Sequence, residues 1–158
     1  MFNLFNKSID IIAPFDGKTI DITEVKDPVF AQLMMGDGMA IIPSSEDIYA
    51  PVEGTVEVIA ESNHSVCIKS KQGLELIIHY GIDTVKYHGQ GFEMKVKLGQ
   101  TVKPGDLLYH CNSQFFIDNK IDLTSPVLVL NGDKFKIINK QLNKTIKKGE
   151  VLFTVVKK

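Results

Sequence analysis

The chain has 158 residues, with eighteen lysines, no arginine and nineteen acidic residues for a formal charge of -1, so it offers no electrostatic footprint for a nucleic-acid backbone. A hydrophobic fraction of 44% against 23% charged residues is that of one ordinary globular domain with a full core. No apolar run approaches the roughly 20 residues of a membrane-spanning helix.

Taken from the N-terminus, Met1 to Lys7 is a tail: Lys7 and Asp10 interrupt it too early for the apolar core of a secretory signal. Phe2, Leu4 and Phe5 make it sticky, but fraying is the expected state of such a terminus. A cytoplasmic location follows, and with it reduced thiols at Cys67 and Cys111, which stand far apart and in no metal-type spacing. Residues 8–158 carry no linker or low-complexity tract and read as a single domain.

Two internal echoes organise that domain. Ala13-Pro14-Phe15-Asp16-Gly17 returns as Ala50-Pro51-Val52-Glu53-Gly54, each followed by an alternating strand. Thr101-Val102-Lys103-Pro104-Gly105-Asp106-Leu107-Leu108 returns as Thr145-Ile146-Lys147-Lys148-Gly149-Glu150-Val151-Leu152. Short strands with turn signals every few residues predict an all-β fold, an antiparallel sandwich or barrel whose halves are related by duplication. Helix is confined to a turn or two over Pro28 to Met34, stopped by Gly36-Asp37-Gly38, and a weak segment over Gln114 to Lys120.

The chemistry centres on a hairpin. Glu61 to Ser70 and Leu74 to Gly81 are short, apolar and β-branched, and Lys71-Gln72-Gly73 joins them. A two-residue turn pairing Ser70 with Gly73 sets His64 opposite His79, about 5 Å apart at Cβ. A three-residue loop with Gly73 in a bulge shifts the count by one and leaves the histidines diagonal neighbours, still able to meet. Alternation places His79 on the face of Ile77 and Glu75, and His64 on that of Val66 and Ile68. A neutral imidazole in such a setting keeps one lone pair free for nucleophilic attack or for a metal. Two nitrogens fall short of the four ligands of a closed zinc site, so zinc binds weakly here unless a partner completes the shell.

Asp83, just beyond Gly81, brings a carboxylate near the imidazole, to orient the ring or receive a partner's cation; a plain turn role is equally compatible with its position. Gly36-Asp37-Gly38 and Gly89-Gln90-Gly91 lack the third glycine and the strand-to-helix unit of a dinucleotide fingerprint. His88 and His110 are expected to be solvated. Glu93-Met94-Lys95-Val96 is similar to the modified-lysine hairpin of biotinyl and lipoyl carrier domains, an alternative function seated on Lys95. Against it, both Ala-Pro phrases precede the lysine, and Val96 replaces the second methionine.

From about residue 11 to 108 the chain resembles the glucose-family IIA component of the bacterial phosphoenolpyruvate-dependent sugar phosphotransferase system. The resemblance is carried by Ile12-Ala13-Pro14, Pro28-Val29-Phe30-Ala31, Ala50-Pro51-Val52-Glu53-Gly54-Thr55, Asn63-His64, Glu75-Leu76-Ile77-Ile78-His79-Tyr80-Gly81-Ile82-Asp83-Thr84-Val85 and Val102-Lys103-Pro104-Gly105-Asp106. It implies a β-sandwich or barrel of the duplicated hybrid type and a phosphohistidine relay. In that relay His79 accepts a phosphoryl group from the carrier protein HPr and passes it to a cysteine on the IIB domain of a sugar permease. His64 is implied to hydrogen-bond the phosphate, and Ser62, where the family has a threonine, to orient His64. Asp27 and Asp83 match acids that meet an arginine of HPr, while Val29, Phe30, Met34, Met35, Ile77 and Val85 match a hydrophobic docking patch. Ala60 and Ile77 stand where characterised members carry aromatics. No cofactor is implied beyond zinc shared with a partner, and sugar choice resides in the membrane domain.

Overall fold

Gly- and Pro-marked turns cut the chain into short strands, which this computed structural model describes over residues 8–158; the expected tail at 1–7 lies outside the described residues. The strands are β1 (Ile9–Ile12), β2 (Gly17–Asp21), β3 (Asp37–Pro43), β4 (Asp47–Tyr49), β5 (Gly54–Ile59), β6 (Ser65–Lys69), β7 (Glu75–His79), β8 (Phe92–Met94), β9 (Thr101–Val102), β10 (Leu107–Cys111), β11 (Ser125–Val129), β12 (Phe135–Ile138), β13 (Thr145–Ile146) and β14 (Val151–Lys157). Eight of them form one sheet in the order β13-β2-β3-β11-β7-β6-β5-β9, and two three-stranded sheets, β1-β14-β12 and β4-β10-β8, complete the fold. The strand pairs are antiparallel, as the alternating pattern predicts.

The echoes become symmetric hydrogen bonds. Ile12 N–H donates to the Pro51 carbonyl at 3.0 Å, while Tyr49 N–H donates to the Pro14 carbonyl at 2.8 Å, so the two Ala-Pro entries clasp each other. Ala13 N–H then donates to Glu150 O and Ala50 N–H to Asp106 O, both at 2.7 Å. Each copy of the first echo thus takes one copy of the second as its partner, with Gly17 opposite Ile146 and Gly54 opposite Val102. The glycine after each acid is needed for contact: a Cβ at Gly17 would lie 2.3 Å from Ile42 O, and one at Gly54 2.3 Å from Lys69 O.

Helix is as scarce as expected. Asp27 accepts from Val29 N–H at 2.9 Å and starts α1 (Pro28–Ala31), with Pro28 in the first turn where its missing N–H costs nothing. Asn112 caps α2 (Ser113–Asp118) by accepting from Phe115 N–H at 3.2 Å. Among the described residues no helix is long and apolar enough to cross a membrane.

Two cores matter for the site. The main one takes Leu76 and Ile78 of β7; a smaller one, on the other face of the same strand, gathers Ile22, Val25, Phe30, Ala40, Ile77, Ile82 and Leu128. A strand covered on both faces explains why Leu74 to Ile78 is apolar almost without interruption. Cys67 and Cys111 are buried free thiols.

Candidate functional site

The β6–β7 hairpin closes with three residues. Ser70 N–H donates to Leu74 O at 2.9 Å and Gly73 N–H to Ser70 O at 3.0 Å, with Gly73 at φ +93. Lys71-Gln72 lacks the positive-φ residues of a tight two-residue turn, so the bulged loop wins. Ser65 therefore pairs with His79, and Tyr80 N–H donates to His64 O at 2.8 Å. This corrects the direct His64–His79 opposition in favour of the diagonal register. The rings still meet: Asn63, at φ +55, takes the chain out of strand geometry just before His64, and the two imidazoles sit edge-on with centroids 4.7 Å apart.

His79 ends β7 and is held on three sides. Gly81, at φ +75, turns the backbone so that its carbonyl accepts from His79 Nδ1 at 2.9 Å. A carbonyl only accepts, so Nδ1 carries the proton and Nε2 keeps the lone pair. Phe30 packs against the ring with centroids 5.0 Å apart, and His64 closes the third side. Burial, joined by the neighbouring His64, pushes the His79 pKa down to about 4, against the opposing Gly81 hydrogen bond and Asp27 charge. Burial also lowers His64. Both rings are neutral at pH 7, and His64 Nδ1 is buried without a partner. No hydrogen bond joins Ser62 to that nitrogen, so the expected orienting contact is not made.

The carboxylate whose charge reaches His79 is Asp27, the cap of α1, rather than Asp83. Asp83 is exposed at φ +62, before a 3-10 turn over Thr84–Tyr87, and lies 3.8 Å from Lys86 Nζ. Of the expected docking residues, Val29, Met34 and Val85 are exposed, Met34 at 69%, and Met35 is half-buried. Phe30 and Ile77 instead belong to the smaller core and form the floor under the patch. Leu33, 42% exposed, adds to the rim; its apolar place directly before Met34-Met35 was the available signal. Away from the site, His88 is exposed as expected, but His110 is not merely solvated: its Nδ1 bonds Asp47 Oδ1, and Glu46 lies 3.6 Å from Nε2. Lys95 follows β8, its ammonium held by Glu93 and its N–H donating to Leu108 O at 2.9 Å.

These environments separate the histidines in a titration. The unfolded imidazole takes a proton near 6.5, whereas folded His79 waits until about 4, so between those values the unfolded chain binds more protons and stability falls as pH drops. The Asp47 hydrogen bond raises the His110 pKa, so its contribution is present below 6.5 and is lost as pH rises through the folded value. Proton NMR of the ring C–H signals should show His79 and His64 titrating below 6.5 and His110 above it. A His79 midpoint at 6.5 would contradict the buried, neutral ring.

Among the described residues no group of three or more His, Cys, Asp or Glu side chains is placed to hold a metal. The site offers two imidazoles only, a partial donor set.

Residues 9–135 match the family described as the phosphoenolpyruvate-dependent sugar phosphotransferase system, EIIA 1. The chain is similar to the PTS system glucose-specific EIIA component of Buchnera aphidicola, 42% identical over 151 residues that cover 95% of this chain and 93% of that protein. The protein of the same name from Staphylococcus epidermidis is 37% identical over 145 residues, 92% of this chain and 87% of the relative. Among solved structures, the glucose permease IIA from Mycoplasma capricolum superposes with a TM-score of 0.89 at 35% identity, over 97% of this chain and 99% of the other.

Proposed function

The chain belongs to the EIIA 1 family of the phosphoenolpyruvate-dependent sugar phosphotransferase system, and we propose that it works as a phosphocarrier whose acceptor atom is Nε2 of His79. It takes the phosphoryl group from phosphorylated HPr and gives it to the IIB domain of a glucose-type permease in the cytoplasm. The observation that carries the reading is the Nδ1–Gly81 hydrogen bond, which leaves Nε2 as the nucleophile.

In the loading step the Nε2 lone pair attacks phosphorus in line with the P–N bond of the donor, which breaks as the new P–N bond forms. The ring gains positive charge as it does so. Nδ1–H, already donating to Gly81 O, shares that charge with a carbonyl dipole that needs no rearrangement. Discharge reverses the roles: a cysteine thiolate of IIB attacks phosphorus, a P–S bond forms, and His79 leaves as the neutral imidazole that its environment favours. Phosphoryl transfer asks for little covalent chemistry beyond positioning and donors for the developing charge.

His64, edge-on to His79, supplies a donor to the phosphoryl oxygens. Ser62, two residues before it, is the hydroxyl to take up His64 Nδ1 when the ring turns toward phosphate. Asp27 and Asp83 face the cations of HPr. Val29, Leu33, Met34 and Val85 are the apolar rim on which two partners dock in turn, and methionine suits a surface that must accept more than one shape.

Incubation with phosphoenolpyruvate and the two general phosphotransferase proteins should add one phosphate, detected by mass. As a phosphoramidate on His79 it should be lost in mild acid and kept in base, and acid-stable label would place it on serine or threonine and end this reading. The transfer needs no cofactor. His64 and His79 would hold zinc weakly, with a partner carboxylate or water completing the shell. Calorimetry on the isolated protein should find weak binding that disappears in His64→Ala; tight binding unchanged by that substitution would rule the two-imidazole arrangement out.

A further inference from the structure

The tautomer of His79 is set by the direction of one carbonyl, and that carbonyl belongs to a glycine. Gly81 at φ +75 has no side chain to hold its conformation, and an unrestrained peptide beside glycine is free to rotate. The Tyr80–Gly81 peptide is held at both of its polar ends by hydroxyls. Its N–H, on Gly81, donates to Ser125 Oγ at 3.0 Å, and its carbonyl, on Tyr80, accepts from Thr84 Oγ1 at 2.7 Å. Ser125 is itself oriented, because its hydroxyl donates to Leu123 O at 2.7 Å and so turns its lone pairs toward Gly81. Both hydroxyl residues are fully buried, where water cannot substitute for them. The next peptide is held in turn, Ile82 N–H donating to Asp122 O at 2.7 Å.

We propose that Ser125 and Thr84 form a two-hydroxyl clamp of positioning residues for phosphoryl acceptance. They fix the Tyr80–Gly81 peptide on one side of Gly81, and the Ile82 N–H bond to Asp122 O fixes the Gly81–Ile82 peptide, which carries the Gly81 carbonyl, on the other. With both sides held, the carbonyl stays aimed at Nδ1 and Nε2 of His79 stays unprotonated. The inference rests on the reading of His79 as the acceptor, but it concerns an arrangement that exists before any phosphate arrives. The clamp does not touch the reacting atoms, and Ser125, on β11, lies apart in sequence from the docking rim, which Thr84 adjoins through Val85.

The test reads the tautomer directly. Long-range nitrogen–carbon-proton correlation NMR on the unphosphorylated protein distinguishes an imidazole protonated at Nδ1 from one protonated at Nε2. The wild-type protein should show His79 as the Nδ1–H form alone. Ser125→Ala and Thr84→Val each remove one hydroxyl, the second with almost no change of shape, and each should give a mixture of the two tautomers. With phosphorylated HPr as donor, each variant should lower the maximal loading rate in proportion to the Nδ1–H fraction that remains, an even mixture halving it, and Ser125→Ala should leave KM unchanged. If Ser125→Ala does not fold, the near-isosteric Thr84→Val decides the matter. Retention of the pure Nδ1–H form and the wild-type rate in the folded variants overturns the clamp. A wild-type protein that takes no phosphate on His79, yet whose tautomer shifts in both variants, would overturn the acceptor role while leaving the clamp standing.

Discussion

His79→Ala should take up no phosphate at all from phosphorylated HPr, while His64→Gln should load nearly as wild type does and then discharge slowly to IIB. The difference follows from what each ring contributes. His79 supplies the lone pair that becomes the P–N bond, and it is the ring whose Nε2 the Gly81 carbonyl leaves unprotonated. His64 stands edge-on with centroids 4.7 Å away and makes no covalent bond; its task is to donate a hydrogen bond to charge in transit, which a glutamine amide can partly perform. Two time courses decide it, loading from HPr and discharge to a purified IIB domain. Normal loading of His79→Ala would move the phosphate to another residue. Equal loss of loading in both variants would mean that the pair acts as one unit.

What could be read in advance was whatever depends on neighbours in the chain. The two echoes translate directly into the symmetric Ile12–Pro51 and Tyr49–Pro14 hydrogen bonds, because each copy encodes the same turn and strand. The two short helices fall within a few residues of where Pro28 to Met34 and Gln114 to Lys120 place them, and the structure adds their caps, Asp27 and Asn112. The hairpin was legible up to a choice of two registers: Gly73 serves as the end of either loop, and the outcome rests on Lys71-Gln72 being unable to take positive φ cheaply. The depth of Phe30 and Ile77 was not legible. A period-2 pattern assigns a residue to a face and does not say that α1 folds back to cover that face at Ile77. Asp83 is near His79 in sequence and Asp27 is near it in charge, a distinction only the packing of α1 against β7 can make. Ser125, 44 residues from Gly81, reaches the site because β11 lies beside β7, and no local signal marks a serine at the start of a strand as the acceptor for a distant turn.

That neighbouring of strands makes Gly38→Ala a severely damaging small substitution outside the site. Gly38 sits in β3 opposite Leu128 of β11, at the centre of the eight-stranded sheet. A Cβ there would lie 2.0 Å from Val127 O, 2.9 Å from Leu128 Cα and 3.0 Å from Val127 C. All three are backbone atoms, so no rotamer change relieves the clash and the two strands must separate. The expected loss is about 3–5 kcal/mol, seen as a fall of about 10 °C in Tm for a chain of this length. Gly99→Ala is the control: its Cβ meets nothing within 4 Å, and only its φ of +87 is strained, so it should cost about 1 kcal/mol. Urea and thermal unfolding of the two variants give the comparison, and a Gly38→Ala protein as stable as Gly99→Ala would show that β3 and β11 can part without cost. Because β11 also carries Ser125 against Gly81, any shift of β11 that spares the fold should still disturb the His79 tautomer. In whatever folded fraction remains, loading should therefore fall further than the loss of folded protein accounts for.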